Sequence, residues 1–235
     1  MGSSDERLRR RQRWEGRSSA ILTIGSAVFL FAFSVLVLAP QLAAPWRGVL
    51  IVVIGVVWVA YIVDLSVRLS LTPPGARAQF LRSNRADAAS VVLPLLRPFR
   101  LLKYLTRLRF FRGTSGNSIR SRFVAAALAF TILFIYVIAL AVLAVERDAP
   151  GATILTFGNA AWWACVTVAT VGYGDFAPVT VTGRVLGVIL MAGGVAIIGT
   201  ASATIVSYLT EHILHAPRQL DDTTGSEPDT ASGQE

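Results

Sequence analysis

Four long apolar segments constrain the fold of this chain more than any other feature. They run over Ser19–Leu38, Gly48–Leu69, Phe123–Val145 and Val181–Leu209. Each is close to the ~20 residues that a helix needs to cross a hydrocarbon core ~30 Å thick. Only 15% of the residues are charged, against about 25% in soluble domains. We therefore expect an all-α membrane protein.

A shorter apolar segment, Ile154–Val168, precedes the glycine-containing stretch Thr167–Asp175, which reads TVATVGYGD. The apolar segment is too short to span a bilayer. Irregular backbone at membrane depth is tolerated only where it is buried in protein or lines a water-filled cavity. The pattern therefore predicts a half-length helix followed by a re-entrant loop.

The stretch 79–112 predicts two further short helices, 79–94 and 98–112, which brings the expected number of transmembrane helices to six. The segment 97–112, which contains the second of these helices, has a basic residue at every third position except Thr106, and one additional arginine. Its basic residues are Arg97, Arg100, Lys103, Arg107, Arg109 and Arg112. Basic side chains within a membrane are costly and usually functional.

The distribution of basic residues predicts the topology. Arginines are concentrated before the first span and in the 68–86 and 112–122 connections, whereas the 39–47 and 146–153 turns carry few. By the positive-inside rule, we expect both termini of this multi-pass protein in the cytoplasm. We expect its location to be the plasma membrane. Topology therefore accounts for the net charge of +8, and we expect no nucleic-acid partner.

The TVATVGYGD stretch has the composition of a cation path. A dehydrated cation needs oxygen ligands, which inward-facing backbone carbonyls of four chains can supply. Turning successive carbonyls the same way requires alternating backbone conformations, which Gly172 and Gly174 adopt at little cost. We expect Tyr173 to face away from the path and Asp175 to lie at the outer mouth, where carboxylates concentrate cations. Two tryptophans, Trp162 and Trp163, are expected to brace the tyrosine.

The nonamer, with Ala161–Trp163 before it and Pro178, Gly183 and Arg184 after it, resembles the signature sequence of potassium channels. The resemblance implies a homotetramer with K⁺ as the permeant ion and no cofactor. It also implies a selectivity filter whose carbonyls, and the hydroxyl of its first residue, coordinate K⁺. The filter residues are Thr170, Val171, Gly172, Tyr173 and Gly174, and the expected supporting residues are Trp162, Trp163 and Thr167.

The basic segment resembles the voltage-sensor helix of voltage-gated cation channels. That resemblance implies that the basic residues from Arg97 to Arg112 are gating charges. It also implies that Tyr61 and Asp64, within Y-x-x-D-x-x-x-R, form an occluded site for passing cations, with Asp87 as a further countercharge. The alternative is a juxtamembrane helix that binds anionic lipid headgroups.

The expected domains follow from these segments. They are a cytoplasmic N-terminus (1–18), a voltage-sensor-like domain (19–112), a linker (113–122), a pore domain (123–210) and a disordered cytoplasmic tail (211–235). The linker is too short for a long amphipathic helix, so we expect each sensor to pack beside its own chain's pore. Gly193, Gly194 and Gly199 are either hinges or sites of close helix packing.

The sequence has no nucleophile–base pair, metal cluster or phosphate-binding loop, so we expect neither an enzyme nor a small-molecule substrate. The function predicted from sequence is that of a voltage-gated potassium channel in contact with anionic lipid. Two alternatives are open: a potassium channel gated by lipid or pH with a sensor domain that does not move, and a non-conducting, lipid-binding membrane protein.

Overall fold

The fold is described from a computed structural model. It describes the backbone of residues 2–72 and 116–214 and of six further positions, 75, 79, 82, 98, 99 and 101. Side chains are described for residues 14, 18–72, 124–206 and 210 and for those six positions. Apart from positions 79, 82, 98, 99 and 101, the predicted helices 79–94 and 98–112 lie outside the described residues, as do Asp87 and all the expected gating charges.

The described part of the chain is helical and contains no strand. Its five helices are α1 (Gly2–Leu38), α2 (Ala44–Ser70), α3 (Gly116–Glu146), α4 (Phe157–Val168) and α5 (Val181–Leu214). Four of them contain stretches long and apolar enough to cross a membrane: Ser18–Leu38, Ala44–Ser70, Val124–Glu146 and Val181–Val206. The four long apolar segments predicted from sequence are thus confirmed as helices.

The helices extend beyond the predicted apolar segments because helix formation does not stop at the membrane surface. The first proline of the chain is Pro40, so nothing breaks α1 between Gly2 and Leu38. Likewise, α3 begins at Gly116 within the expected linker. The last helix, α5, continues to Leu214, into the segment expected to be a disordered tail. Polar residues outside a bilayer still propagate a helix, but they give no hydropathy signal.

Helices α1 and α2 pack antiparallel through a short turn at 39–43. Their contacts run in opposite directions along the two helices. The Tyr61 hydroxyl donates to the Leu22 carbonyl at 2.7 Å and contacts the Ser26 hydroxyl. Arg68 Nη2 donates to Ser18 Oγ at 3.2 Å. These buried polar groups therefore pair with each other across the helix interface.

Helix α3 contacts both α1 and α4. The Tyr136 hydroxyl donates to Ser34 Oγ of α1 at 2.8 Å, and its ring meets Phe157 of α4 edge-on at 5.6 Å. Near the end of α3, Arg147 Nη2 donates to the Val37 carbonyl at 2.6 Å. Residues of α1 are thus attached to the α3–α4 pair within one chain.

An aromatic cluster lies on α3. The ring of Phe99 is 5.1 Å from Phe130 and 6.1 Å from Phe134, and the latter two rings stack 5.9 Å apart. Phe134 also fills the space above Gly193 of α5, where an added Cβ would overlap its ring. The cluster therefore joins position 99 to α3 and α5.

Contacts group the chain into two compact units, Met1–Gly194 and Val195–Glu235. The first contains the core, formed largely by consecutive buried residues of α3 from Val137 to Leu143 with Ala160 and Leu190. In the second, the described side chains belong to the C-terminal part of α5, and Ile205 and Val206 are exposed.

Candidate functional site

The candidate site begins with the half-length helix α4. Its N-terminus is capped by Thr156, which has an extended backbone (φ −128°, ψ 159°). The Asn159 backbone N–H donates a hydrogen bond to Thr156 Oγ1, with 3.2 Å between nitrogen and oxygen. Because this cap is not helical, α4 starts at Phe157 and not at the predicted Ile154. The helix has 12 residues and at 1.5 Å per residue is ~18 Å long, too short to span.

The backbone after α4 alternates in conformation. Thr170 (φ 57°), Gly172 (φ 60°) and Gly174 (φ 79°) lie in the left-handed region, and the intervening Val171 and Tyr173 do not. The sequence predicted unusual backbone conformations at the two glycines. It did not predict the left-handed conformation of Thr170. A β-branched residue is strained there. Hydrogen bonds from the Thr170 N–H to the Thr167 carbonyl and from the Val171 N–H to the Val166 carbonyl, both 3.0 Å, hold this turn.

The structure brings Trp162, Tyr173 and Asp175 together. The Trp162 and Tyr173 rings stack in parallel, with centroids 5.8 Å apart and an interplanar angle of 3°. The same indole donates from Nε1 to Asp175 Oδ2 at 2.8 Å. One side chain of α4 therefore positions both the tyrosine and the carboxylate of the glycine stretch.

The neighbouring tryptophan does not brace Tyr173 within the chain. Trp163 is buried and faces α5, where a Cβ added at Gly187 would lie 3.5 Å from its ring. Consecutive helical residues point about 100° apart, so the two tryptophans cannot both face the same residue. The third expected supporting residue, Thr167, donates its hydroxyl to the Trp163 carbonyl at 2.7 Å, within α4.

Glu146 anchors the chain that follows the glycine stretch. Its carboxylate accepts from the Val179 N–H (2.8 Å), the Thr180 N–H (3.0 Å) and the Thr180 hydroxyl (2.6 Å), and the residue is fully buried. Gly183 leaves room for this carboxylate, because a Cβ there would overlap Glu146 Oε1. Sequence reasoning missed this residue. A carboxylate that ends a long apolar helix was the available signal.

Thr153 contacts the same segment after the glycine stretch, at Ala177. Its hydroxyl is 3.3 Å from the Ala177 N–H, which donates to it, and 3.4 Å from the Ala177 carbonyl. Asp175 Oδ1 accepts from the Phe176 N–H at 3.1 Å. Most residues from 175 to 180 are thus tied to a side chain, and this sequence of contacts was not foreseen either.

A second cluster lies between α1 and α2 and contains two of the predicted charge-transfer residues. Tyr61 and Asp64 are both buried, and the Asp64 carboxylate meets Arg68 Nε at 2.9 Å. The Trp14 indole donates to Asp64 Oδ1 at 3.0 Å. Asp87 and the six basic residues of the 97–112 segment lie outside the part of the chain that the structure describes.

The three expected hinge glycines differ in their surroundings. A Cβ at Gly193 would overlap Phe134, and one at Gly194 would lie 3.1 Å from the Val168 Cα and 3.2 Å from its carbonyl oxygen. Among the described residues, a Cβ added at Gly199 would have no neighbouring side chain or other helix within 4 Å. Helix α5 runs unbroken through all three. Close helix packing therefore explains why glycine occupies positions 193 and 194. It gives no reason for glycine at position 199.

Comparison with known proteins shows what this part of the chain is similar to. Residues 124–211, which contain most of α3, all of α4 and most of α5, match the family described as ion channel. A cyclic nucleotide-gated potassium channel of Mesorhizobium japonicum is 29% identical over 176 residues, 68% of this chain. The similarity is to channels rather than to enzymes, and with the four apolar helices it supports a multi-pass membrane protein.

Other potassium channels match shorter regions. A voltage-gated potassium channel of Aeropyrum pernix is 37% identical over 92 residues, 37% of this chain. A calcium-gated potassium channel of Thermoplasma volcanium is 41% identical over 64 residues, 27% of this chain. The matched regions span 49%, 30% and 18% of the lengths of these three relatives. The names of the relatives differ in the stimulus that opens the channel.

Proposed function

We propose that the protein is a voltage-gated, potassium-selective channel that conducts K⁺ through the segment Thr170–Gly174. The observation that carries the proposal is the alternation of left-handed and ordinary backbone at 170–174, directly after a half-length helix. Alternation of this kind turns consecutive carbonyls toward one side, where they replace the hydration shell of the ion. The permeant ion is the only non-protein component that this function requires.

The channel works as a homotetramer in this proposal. In the single chain, every residue from 169 to 175 is exposed, including the large side chains of Val171 and Tyr173. Apolar side chains of α5 are exposed as well, among them Val185 and Val188. Three further copies would cover these surfaces and close a ring of carbonyls around the ion. Asp175 of each copy would then form a ring of carboxylates at the outer mouth.

The proposed topology has six transmembrane helices, a re-entrant loop at α4 and the following stretch, and both termini in the cytoplasm. The basic segment 97–112 acts as the voltage sensor, since moving one charge through the field contributes about 2.3 kcal/mol per 100 mV. Tyr61 and Asp64 support this assignment, because both are buried and their spacing of three residues places them on one face of α2. Anionic lipid stabilises the basic cytoplasmic segments.

The sensor-like domain packs beside the pore of its own chain in this proposal. The hydrogen bonds from Tyr136 to Ser34 and from Arg147 to the Val37 carbonyl join α1 to α3 within one chain. A short bifunctional thiol crosslinker that joins cysteines introduced at 34 and 136, in a Cys165→Ala background, should link two positions of one chain if this arrangement holds. Crosslinked dimers as the main product would contradict it.

A channel gated by lipid or pH is the second candidate, with a sensor domain that does not move. The observation in its favour is that both Asp64 oxygens are already engaged by residues of α1 and α2. An acid held in this way attracts a passing basic side chain less strongly. The relatives named for cyclic nucleotide and calcium gating are consistent with an opening stimulus other than voltage.

Planar-bilayer recording of the reconstituted protein tests these proposals together. We expect currents that reverse near the potassium equilibrium potential and an open probability that changes with voltage. Replacing Arg100, Lys103 and Arg109 by glutamine should make the conductance–voltage curve shallower. The matched control is Arg47→Gln, at an exposed position near the start of α2.

The outcomes separate the candidates. Potassium currents whose voltage dependence is unchanged by the triple substitution would favour the lipid- or pH-gated channel, and the same recordings at different pH and lipid composition would then identify the stimulus. No potassium flux under any condition would leave the non-conducting, lipid-binding protein.

A further inference from the structure

Trp14 makes a contact that the channel function described so far does not use. It lies in α1 just before the apolar stretch Ser18–Leu38, and its indole Nε1 donates to Asp64 Oδ1 of α2 at 3.0 Å. The other oxygen of the same carboxylate lies 2.9 Å from Arg68 Nε. The acid expected to meet passing basic side chains is therefore bound on both oxygens, once by each helix.

The surroundings make this contact strong. Asp64 and Arg68 are each 7% exposed, so the carboxylate is largely shielded from water that would compete for it. Hydrogen bonds to an ionised carboxylate are roughly twice as strong as those between neutral groups. The bond from Arg68 to Ser18 joins the same two helices beside it. Together these contacts fix the part of α1 around Trp14 and Ser18 against the C-terminal part of α2.

A tryptophan near a membrane surface often serves as an interfacial anchor, with its polar end directed to water and headgroups. The exposed part of Trp14, 40% of the residue, fits that role. However, its single donor, the indole N–H, is directed to Asp64. An anchor alone does not require that direction, so the geometry favours a role that acts through the carboxylate.

We propose that Trp14 is a positioning residue for Asp64 and that it sets how strongly this acid holds a basic side chain of the 97–112 segment. This inference rests on the proposed voltage-gated function. The indole N–H satisfies part of the carboxylate charge and occupies one oxygen. Without it, that oxygen is available to a basic side chain. In the proposed topology Asp64 lies toward the cytoplasmic end of α2, so tighter binding there stabilises the inward position of the sensor.

The test is Trp14→Phe in the full-length reconstituted channel, because phenylalanine keeps an aromatic ring and removes only the donor. We expect the gating-charge–voltage curve to shift to more positive voltages. At a fixed voltage, the ratio of inward to outward sensors should rise about tenfold, the effect of one hydrogen bond to a charged group. Trp46→Phe, at an exposed tryptophan of α2, is the control and should not shift the curve.

The pairing with Asp64 is tested by a double-mutant cycle. In an Asp64→Asn background, Trp14→Phe should produce a much smaller shift than in the wild type, because the charged acceptor is gone. An equal shift in both backgrounds would assign Trp14 to membrane anchoring and overturn the inference. So would the absence of any shift in the wild-type background.

A second measurement separates this inference from the proposed function. Hydrogen exchange of the ¹⁵N-labelled indole of Trp14, recorded by NMR on the full-length protein in nanodiscs, should be slow in the wild type and fast in Asp64→Asn. If no gating charge moves at all, the proposed voltage sensing is wrong. The exchange rate of the Trp14 indole alone then decides whether Trp14 positions Asp64. Slow exchange that is lost in Asp64→Asn supports positioning of the acid by Trp14, whereas fast exchange in the wild type overturns it.

Discussion

Removing the Glu146 carboxylate should destabilise the pore region strongly. Glu146→Ala eliminates three hydrogen bonds of 2.6–3.0 Å and leaves two backbone N–H groups, those of Val179 and Thr180, without this acceptor. At about 1.5 kcal/mol each, the low end for bonds to a charged group, they total about 4.5 kcal/mol. The cost of burying the carboxylate opposes this sum. We therefore expect a net loss of about 3 kcal/mol for each chain, roughly two thirds of that total.

Thermal unfolding of the purified protein, followed by tryptophan fluorescence, measures this loss. A change of about 3 kcal/mol corresponds to a fall in Tm of roughly 6–12 °C for a chain of this size. If the proposed function is correct, potassium efflux from vesicles should fall in parallel, because the segment held by Glu146 directly follows the proposed filter. Glu146→Gln retains one acceptor oxygen and should lose about half as much stability.

Two glycine substitutions provide a matched pair for the same contact. Gly183→Ala places a methyl group where the Glu146 carboxylate lies, and it should reproduce most of the effect of Glu146→Ala. Gly187→Ala, one turn further along α5, only brings a methyl group to 3.5 Å from Trp163 and should be tolerated. A Tm for Glu146→Ala within 2 °C of the wild type, or equal losses for the two glycine variants, would refute this reasoning.

Three other substitutions test separate contacts. Trp162→Phe removes the donor to Asp175 but keeps a ring beside Tyr173. In the proposed channel, single-channel recordings should show open periods about tenfold shorter, as for ~1.4 kcal/mol. Unchanged open periods would argue against a role for this bond. Gly193→Ala forces the Phe134 ring from its place, so we expect the free energy of unfolding to fall by about 1–3 kcal/mol. An unchanged Tm would count against the packing described. Thr156→Ala removes the N-cap of α4 and should cost about 1 kcal/mol by the same measurement, while a neutral result would mean that tertiary contacts alone fix the start of α4.

The membrane helices were predictable because bilayer thickness sets their length. Each predicted apolar segment lies within, or nearly coincides with, an observed helix. Their ends were less predictable because the signal was hydropathy, which vanishes where a helix enters water. The start of α1 at Gly2 is the largest such difference. It also bears on the role proposed for Trp14, which lies in the part of the helix that hydropathy did not reveal.

The candidate site was predictable where a single residue type carries the reason. Gly172 and Gly174 were expected to have unusual backbone conformations because only glycine adopts them cheaply, and both have positive φ. Thr170 has the same conformation without that chemical reason. Contacts between distant parts of the chain could not be predicted from the sequence. The Glu146 bonds cross 33 and 34 residues and the Trp14–Asp64 bond crosses 50, so they depend on how the helices pack.

The Phe134 ring over Gly193 has a consequence for protein engineering. Because a Cβ at position 193 would occupy the volume of that ring, the two positions form a bump-and-hole pair. A larger residue at 193 should be accommodated when 134 is made smaller, and the ring's other neighbours, Phe99 and Phe130, would then lose one partner. Because both residues belong to one chain, a chain with the larger residue at 193 could be mixed in defined ratios with a chain that also carries the smaller residue at 134. If the proposed tetramer forms, the conductance of such mixtures would count how many of its chains must keep this packing.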